Sequence, residues 1–242
     1  MRTMATTLAS GVLLGTSILG ASAPAQAEIS ANVALTSHYI FRGQDLADGA
    51  PAIQGGFDYA FEKGLYLGIW ASSAKTAHAV SGETETLESD YYIGFAHEFK
   101  DYGVAIDMGY IQYDYPHTSS DDNELYFVAS YQLEKYGEIS ASLWAELDTG
   151  TRNDAGVEVP KGGNAGTFIY YGFAYELPLP NKFGLGLALG YQTFDGDSEE
   201  VLDYALSINR PVAGLDFAVS YSDSDADVEK SNFFTLTVSK SY

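Results

Sequence analysis

The sequence predicts an all-β protein: a single antiparallel transmembrane β-barrel of twelve strands with short periplasmic turns and longer extracellular loops. Three observations predict it: segments in which apolar and polar residues alternate, connections that are alternately short and long, and a C-terminal segment that ends on an aromatic residue. Alternate residues of a strand share a face, so each segment has one apolar and one polar side. Strands can cross lipid only when all their backbone groups are paired, which requires closure into a barrel.

The first strand is predicted over residues 29–42 because apolar side chains recur there at every second position. Its apolar face carries Ile29, Ala31, Val33, Leu35, Tyr39 and Phe41, and Arg42 falls on the polar face. The same period predicts strands over residues 53–62, 65–73, 87–99, 104–110, 125–133, 138–147, 167–177, 183–192, 201–209 and 215–222. The pattern of the third strand does not decide which of its faces points outward.

The ninth strand separates the two faces most clearly. Leu185, Leu187 and Leu189 share one face, whereas Gly186, Ala188 and Gly190 share the other. A strand that packs on a core would rarely place all its bulk on one side. Lipid outside and an open interior explain the pattern.

The twelfth strand is the C-terminal segment, residues 233–242. Threonines and serines occupy one of its faces, and the barrel-closing residues occupy the other: Phe234, Leu236, Val238 and Tyr242. For this segment alone an edge strand of a soluble sandwich is the alternative, because alternation is common. Lys240 interrupts the apolar face, but near the membrane edge a lysine side chain can reach the polar interface.

The connections also follow the order of an outer-membrane barrel. Those after strands 2, 4, 6, 8 and 10 are predicted to be two to five residues long, and residues 210–214 form one of them. The remaining connections are longer and contain most of the acidic residues. Short turns at one rim and long loops at the other, with an even number of strands, are typical of outer-membrane barrels.

Residues 1–27 are predicted to be a secretory signal peptide. Arg2 precedes an apolar run, and Ala25-Gln26-Ala27 provides the small residues of a cleavage site. A membrane helix is the alternative, but the apolar core is short, is interrupted by glycines and lacks a stop-transfer flank. We therefore expect residues 28–242 to form the mature barrel, exported to the outer membrane.

The composition is consistent with this location and excludes one class of partner. The chain has 19 Tyr, 13 Phe and no Cys, and its formal net charge is −21. Aromatic side chains with a polar end suit the two interfaces of a bilayer. Nucleic acid is excluded as a partner because a chain this acidic has no basic patch to neutralise phosphates.

Five segments resemble a known family. Residues 30–43, 51–59, 65–72, 90–99 and 238–242 read SANVALTSHYIFRG, PAIQGGFDY, LYLGIWAS, DYYIGFAHEF and VSKSY. Together they resemble the TorF-type porins of proteobacterial outer membranes, over essentially the whole mature chain. The resemblance implies a small single-chain barrel of a Gram-negative outer membrane and a solute channel, and it does not identify the solute.

The polar faces of the strands provide the candidate pore-lining residues. They are Arg42, Gln54, Asp58, Asp90, Asp107, Glu124, Glu146 and Asp203. Each alone is better explained as a structural polar residue in a wet interior, but together the carboxylates favour cations and neutral or zwitterionic solutes. Arg42 is positioned to pair across the lumen with one of them and to form a constriction. Twelve strands predict a narrow pore, which Tyr66, Trp70 and Trp144 could obstruct.

We therefore expect a passive channel for small hydrophilic solutes that acts without a cofactor. The expected partners are these solutes, outer-membrane lipid, lipopolysaccharide and the outer-membrane assembly machinery. The alternative is a closed barrel that serves as a surface anchor, an adhesin or a lipopolysaccharide-contacting structural protein. Catalysis is not expected, because none of the histidines lies in a nucleophile motif. The acidic residues 223–229 lack the glycine and distal glutamate of a calcium loop, so no metal site is assigned.

Overall fold

In the computed structural model, the described residues form a closed antiparallel barrel of twelve strands. These residues are 28–75, 86–116, 122–147, 151–152, 158–159, 167–195, 199–226 and 231–242, so the expected signal peptide lies outside them. The strands are β1 (Glu28–Thr36), β2 (Ala52–Ala60), β3 (Leu65–Ser73), β4 (Leu87–Phe99), β5 (Val104–Asp114), β6 (Asp122–Gln132), β7 (Glu138–Glu146), β8 (Phe168–Pro178), β9 (Gly184–Phe194), β10 (Val201–Val212), β11 (Leu215–Ser224) and β12 (Phe233–Ser241). The predicted fold class is confirmed.

Each strand pairs with the next strand in the sequence, and β12 closes the ring by pairing with β1. In this seam Asn32 lies opposite Ser241 and Thr36 lies opposite Thr237. The Thr237 hydroxyl donates to the Thr36 hydroxyl at 2.9 Å, and the Leu236 N–H donates to Ser37 Oγ at 3.0 Å. The prediction that the terminal strand closes against the first is confirmed.

The predicted alternation of short and long connections is also confirmed. Four of the short connections contain a 3-10 turn, at Glu62–Gly64, Lys100–Tyr102, Glu134–Tyr136 and Pro180–Lys182. The fifth is shorter than predicted, because β10 continues to Val212 and pairs Pro211 with Asp216. Ala213 and Gly214 alone make this turn, with φ values of 56° and 80°, which fit a tight hairpin between twisted strands.

The strands carry an apolar outer face and a polar or small inner face. In β9, Leu189 on the outside is 54% exposed whereas Ala188 on the inside is 4% exposed. The same contrast settles the facing of β3, where Leu67 and Ile69 are exposed and Tyr66 is buried. An outer surface that is apolar around the whole ring is stable against lipid rather than water.

Two short two-stranded sheets are separate from the barrel wall. Ile40–Phe41 pairs with Gln44–Asp45, and Thr151–Arg152 pairs with Glu158–Val159. Both pairs belong to long connections between barrel strands. None of the helical segments in the described part of the chain has the length and apolarity to cross a membrane.

The prediction that the first strand continues to Arg42 is wrong. The strand ends at Thr36, whose hydroxyl donates to the His38 carbonyl at 2.9 Å. Residues 37–51 then fold inward as a hairpin, which we call the lumen hairpin, and Arg42 and Gly43 reverse the chain with φ values of 48° and 76°. Tyr39, expected on the outer face, is 2% exposed. Aromatic residues also line the interior, so their alternation did not reveal the end of the strand.

The outer face provides a depth-dependent test of the fold. Leu189 is the central residue of β9, and Leu215 begins β11 next to a short turn. We expect Leu189→Arg to lower the free energy of unfolding from lipid vesicles by about 2–4 kcal/mol, because arginine is costly at the membrane midplane. Leu215→Arg, near the interface, should cost only about 0–1 kcal/mol. Equal costs at the two positions, measured by urea titration, would contradict the assigned membrane face.

Candidate functional site

The candidate site lies inside the barrel, where the lumen hairpin crosses toward the opposite wall. Tyr39 at its base donates to Glu88 Oε1 at 2.9 Å, and its ring lies 5.7 Å from the ring of Trp70. Asp45 accepts the backbone N–H groups of Ala47 and Gly49 at 2.9 and 2.7 Å. These bonds give the hairpin a defined shape on the side of β3 and β4.

A second attachment lies outside the lumen and joins the hairpin to the start of the next long connection. The Lys75 N–H donates to the Leu46 carbonyl at 2.7 Å, and Lys75 Nζ lies 2.7 Å from Asp48 Oδ2. The hydrogen bond to Lys75 lowers the pKa of Asp48 below its ordinary value. Because both side chains are largely exposed, this ion pair contributes little to stability.

At the tip of the hairpin, Arg42 forms a buried ion pair with Glu124 of β6. Its Nη1 and Nη2 donate to the two carboxylate oxygens at 2.9 and 2.7 Å, and the two side chains are 5% and 3% exposed. Burial alone would lower the pKa of Arg42, but the adjacent Glu124 carboxylate outweighs it and raises the pKa above the ordinary value. The guanidinium is therefore charged and bound through both oxygens, the strongest geometry for this kind of pair.

Aromatic rings surround the Arg42 guanidinium. Its Cζ lies 4.5 Å from the ring centroid of Tyr170, 5.3 Å from that of Phe168 and 5.5 Å from that of Trp144. The ring of the neighbouring Phe41 lies at 4.6 Å. Ring faces attract a cation, and more strongly where water is excluded. The Glu124 carboxylate and the rings of Phe41, Trp144, Phe168 and Tyr170 thus enclose the guanidinium, and we call these five residues the cage around Arg42.

The structure places the predicted pore-lining residues as follows. Arg42 reaches the interior from the lumen hairpin rather than from a strand, and Gln54 donates to Ser72 Oγ at 3.2 Å. Asp58 and Glu146 are half-buried. The other four acidic residues are at most 7% exposed: Asp90, Asp107, Glu124 and Asp203. The expected cross-lumen contact of Arg42 with a carboxylate is formed, and its partner is Glu124.

Buried tyrosines are the part of the site that sequence reasoning missed. Tyr66 donates to Asp107 at 2.6 Å, and Tyr170 donates to Asp203 at 3.3 Å. Tyr92 donates to Asp58, and Tyr66 and Tyr126 are joined through their hydroxyls. The composition predicts tyrosine at the lipid interfaces, and Tyr66 alone among these residues is named as a possible obstruction of the lumen. A signal was present for two others, since Tyr92 and Tyr126 fall on the polar side of their strands.

Several buried carboxyl groups in the lumen lack hydrogen-bond partners. Asp90 is 0% exposed and Glu88 is 1% exposed. Both carboxylate oxygens of Asp90, one of Glu88 and one of Asp203 accept no hydrogen bond from the described residues. Of the buried charged side chains in this part of the protein, five are acidic and one, Arg42, is basic. A buried carboxyl group without a partner ionises only at a cost, and a cation bound nearby would offset that cost.

The expectation that the inner glycines of β9 mark open space is wrong at two positions. A Cβ atom on Gly190 would lie 2.0 Å from Tyr170 Oη and 2.2 Å from Asp203 Oδ2. A Cβ atom on Gly184 would lie 2.5 Å from Asn209 Oδ1. Glycine is favoured at position 190 because the side chains of Tyr170 and Asp203 lie directly over it.

The other candidate features have local partners. The acidic side chain of Asp223 accepts bonds from Tyr204 and Tyr221 at 3.0 and 3.1 Å, and part of the segment 223–229 lies outside the described residues. Among described residues, no group of histidine and acidic side chains has metal-ligand spacing. His38 Nδ1 lies 3.2 Å from Ser37 Oγ, but that hydroxyl also accepts a backbone bond of the β1–β12 seam.

Comparisons with known proteins agree with this fold. A family model described as "Bacterial protein of unknown function (Gcw_chp)" matches residues 20–241. The structure is similar to that of the KdgM porin, with a TM-score of 0.57, 9% sequence identity and coverage of 88% of this chain and 98% of that one. The NanC porin gives a TM-score of 0.56, 7% identity and the same coverage. At these identities the likeness shows the fold alone. No curated protein sequence matches the chain.

Removal of one member of the Arg42–Glu124 pair should strongly destabilise the barrel. We expect Arg42→Ala to lower the free energy of unfolding by about 3–5 kcal/mol, because it leaves a buried carboxylate without its partner. Arg210→Ala is a matched control, since the Arg210 guanidinium also lies over a ring, that of Phe183 at 4.8 Å, but at an exposed position. A similar small loss in both variants, measured by urea unfolding, would contradict the buried pair.

Gly190→Ala tests the crowding over β9. The added methyl group meets Tyr170 Oη, so we expect a loss of about 1–3 kcal/mol in the free energy of unfolding. Tyr170→Phe removes this hydroxyl, and the double variant should lose less than the sum of the two single variants. Additive losses would show that the two side chains do not touch.

Proposed function

We propose a function for this chain, which belongs to the Gcw_chp family of bacterial proteins of unknown function: it is a narrow outer-membrane channel for small hydrophilic solutes. Solutes would diffuse down their gradient through a polar, acidic lumen, without a cofactor or covalent step. Cations and neutral or zwitterionic solutes are favoured over anions. The location in a bacterial outer membrane and the cleavage of residues 1–27 are parts of the same proposal.

The charge of the interior is the observation that carries this proposal. Five of the six buried charged side chains in the described part of the chain are acidic. Carboxylates inside a low-dielectric wall raise the local concentration of cations and repel anions. One similar structure is titled "KdgM porin in complex with disordered oligogalacturonate". Galacturonate is an anion, so the same substrate class is disfavoured for this chain.

The shape of the interior supports passage along one side of the barrel. The bulky inner side chains belong mainly to β3 through β8, whereas most inner positions of β9 to β12 are small or polar, such as Ala188, Ser207, Ala218 and Thr237. Phe233, at the start of β12, is a buried exception. The lumen hairpin occupies the long-loop half of the lumen. We propose that the resemblance to TorF-type porins reflects this same architecture.

One observation favours a second candidate function. Asp90, Ile111 and Tyr170 are at most 1% exposed, so the lumen is filled beside β4, β5 and β8 at the level of the hairpin. A barrel in which the hairpin also closes the opposite side would not conduct. It would be a closed anchor whose acidic loops contact lipopolysaccharide or serve in adhesion. Lipid, lipopolysaccharide and the outer-membrane assembly machinery are proposed partners in both cases.

Recording from planar bilayers tests the proposed function. We expect discrete conductance steps with a cation-selective reversal potential, and larger steps for Arg42→Ala because the tip of the lumen hairpin is released. Glu146→Gln should reduce the cation selectivity, since it removes a half-buried carboxylate from the inner face of β7. Asp48→Asn removes the same charge from an exposed loop and is the control that should leave selectivity unchanged. Electrical silence of both the unsubstituted chain and Arg42→Ala would support the closed anchor, and anion selectivity would contradict the proposal.

A further inference from the structure

If the barrel is a channel, the structure assigns a recognition site within it: we propose that the cage around Arg42 binds the guanidinium group of a solute. In this proposal the guanidinium of Arg42 occupies the site in the absence of solute, and the solute displaces it. The substrate class is therefore small molecules that carry a guanidinium group. The inference rests on the proposed channel for its biological meaning, but the binding site is testable without transport.

The parts of the cage that bind the cation belong mainly to the barrel wall. Glu124 projects from β6, Trp144 from β7, and Phe168 and Tyr170 from β8. Tyr113 of β5 donates to Glu124 Oε2 at 3.3 Å and positions the carboxylate. These residues stay in place when the lumen hairpin moves. Only Arg42 and the ring of Phe41 leave with it.

The geometry selects a guanidinium over other cations. The two Nη atoms of Arg42 contact the two oxygens of Glu124 at 2.9 and 2.7 Å. This paired contact needs a planar cation with two parallel N–H donors, which an ammonium group lacks. The wall rings at 4.5–5.5 Å add attraction to the faces of the same planar group.

Two acidic side chains of the lumen have oxygens without hydrogen-bond partners while Arg42 is bound. Asp203 Oδ2 and both oxygens of Asp90 are buried and accept no hydrogen bond from the described residues. Asp203 also contacts the cage directly, because Tyr170 donates to its other oxygen at 3.3 Å. A carboxyl group in this position ionises at a lower cost when a cation binds beside it, which favours entry of the solute before Arg42 has left.

Besides the Arg42–Glu124 pair, the described contacts of the hairpin tip with the wall are weaker, such as that of the Phe41 ring, whose centroid lies 6.1 Å from that of Tyr113. Gly43 approaches β11 through a hydrogen bond of 3.5 Å from Ser224 Oγ to its carbonyl oxygen. The Arg42–Glu124 pair is the strong contact between the tip and the wall. A guanidinium that competes for Glu124 therefore releases the tip, while Tyr39 and Asp45 keep the base of the hairpin folded.

Chemical rescue of Arg42→Ala tests the site. The probe is methylguanidinium, added in the millimolar range to the full-length protein in detergent, and the readout is the midpoint of thermal unfolding. We expect the midpoint to rise saturably, because the probe takes the place of the missing side chain. Methylammonium at the same ionic strength should have at most a tenth of the apparent affinity. Arg210→Ala, which removes an exposed arginine from a ring, should show no rescue.

Two further variants keep the test decisive. In the double variant with Arg42→Ala and Glu124→Gln, methylguanidinium should no longer raise the midpoint of thermal unfolding, because the charged carboxylate that binds it is gone. If Arg42→Ala does not fold, Arg42→Lys retains the positive charge, and quenching of Trp144 fluorescence by methylguanidinium is measured instead. We expect saturable quenching in Arg42→Lys that Glu124→Gln abolishes. Absence of rescue and of quenching, or equal effects of methylammonium, would overturn the proposal.

The outcome is separable from that of the bilayer recordings. Rescue by methylguanidinium together with electrical silence would contradict the channel and leave the binding site standing. Cation-selective conductance without rescue would contradict the recognition site and leave the channel standing.

Discussion

The closure of β12 on β1 is the constraint on which the rest of the structure depends. An apolar surrounding offers no partner to a backbone N–H or C=O group, so a strand at an unpaired edge could not remain in it. The seam pairs residues 32–36 with residues 237–241, and side-chain bonds of Ser37 and Thr36 extend it toward the long-loop rim. Closure also separates an inside from an outside, and the period of two then assigns every strand residue to one of them.

Inside the ring, the main energetic cost comes from the burial of acidic side chains. Tyrosine hydroxyls donate to Asp58, Asp107 and one oxygen of Glu88, and Arg42 pairs with Glu124, but Asp90 accepts no hydrogen bond from the described residues. A purely structural interior would avoid this cost, since apolar packing fills a small barrel equally well. The surplus of acidic side chains is therefore most simply explained by a function that involves positive charge. The proposed channel and the proposed guanidinium site both depend on this surplus.

Much of the wall could be predicted from the sequence because the signal is local. Leu189 and Phe234 are outward because polar or small residues alternate with them, and the short turns follow from the spacing of the strands. The interior was harder. The bond between Tyr66 and Asp107 joins residues 41 positions apart, and that between Arg42 and Glu124 joins residues 82 apart. Such contacts depend on the strand register and on the path of the hairpin, neither of which a period of two encodes. The end of β1 was missed for the same reason, because Tyr39 and Phe41 continue the alternation after the chain has left the wall.

The most direct test of the central claim compares two neighbouring positions of β11. Val219 points outward and is 48% exposed, whereas Ser220 points inward and is half-buried. Because the chain has no Cys, a single cysteine at either position carries a spin label without interference. In lipid vesicles we expect oxygen, which concentrates in the acyl region, to relax the label at 219 strongly and the label at 220 weakly. Equal accessibility, or the reverse order, would contradict a barrel with lipid outside and a polar lumen inside.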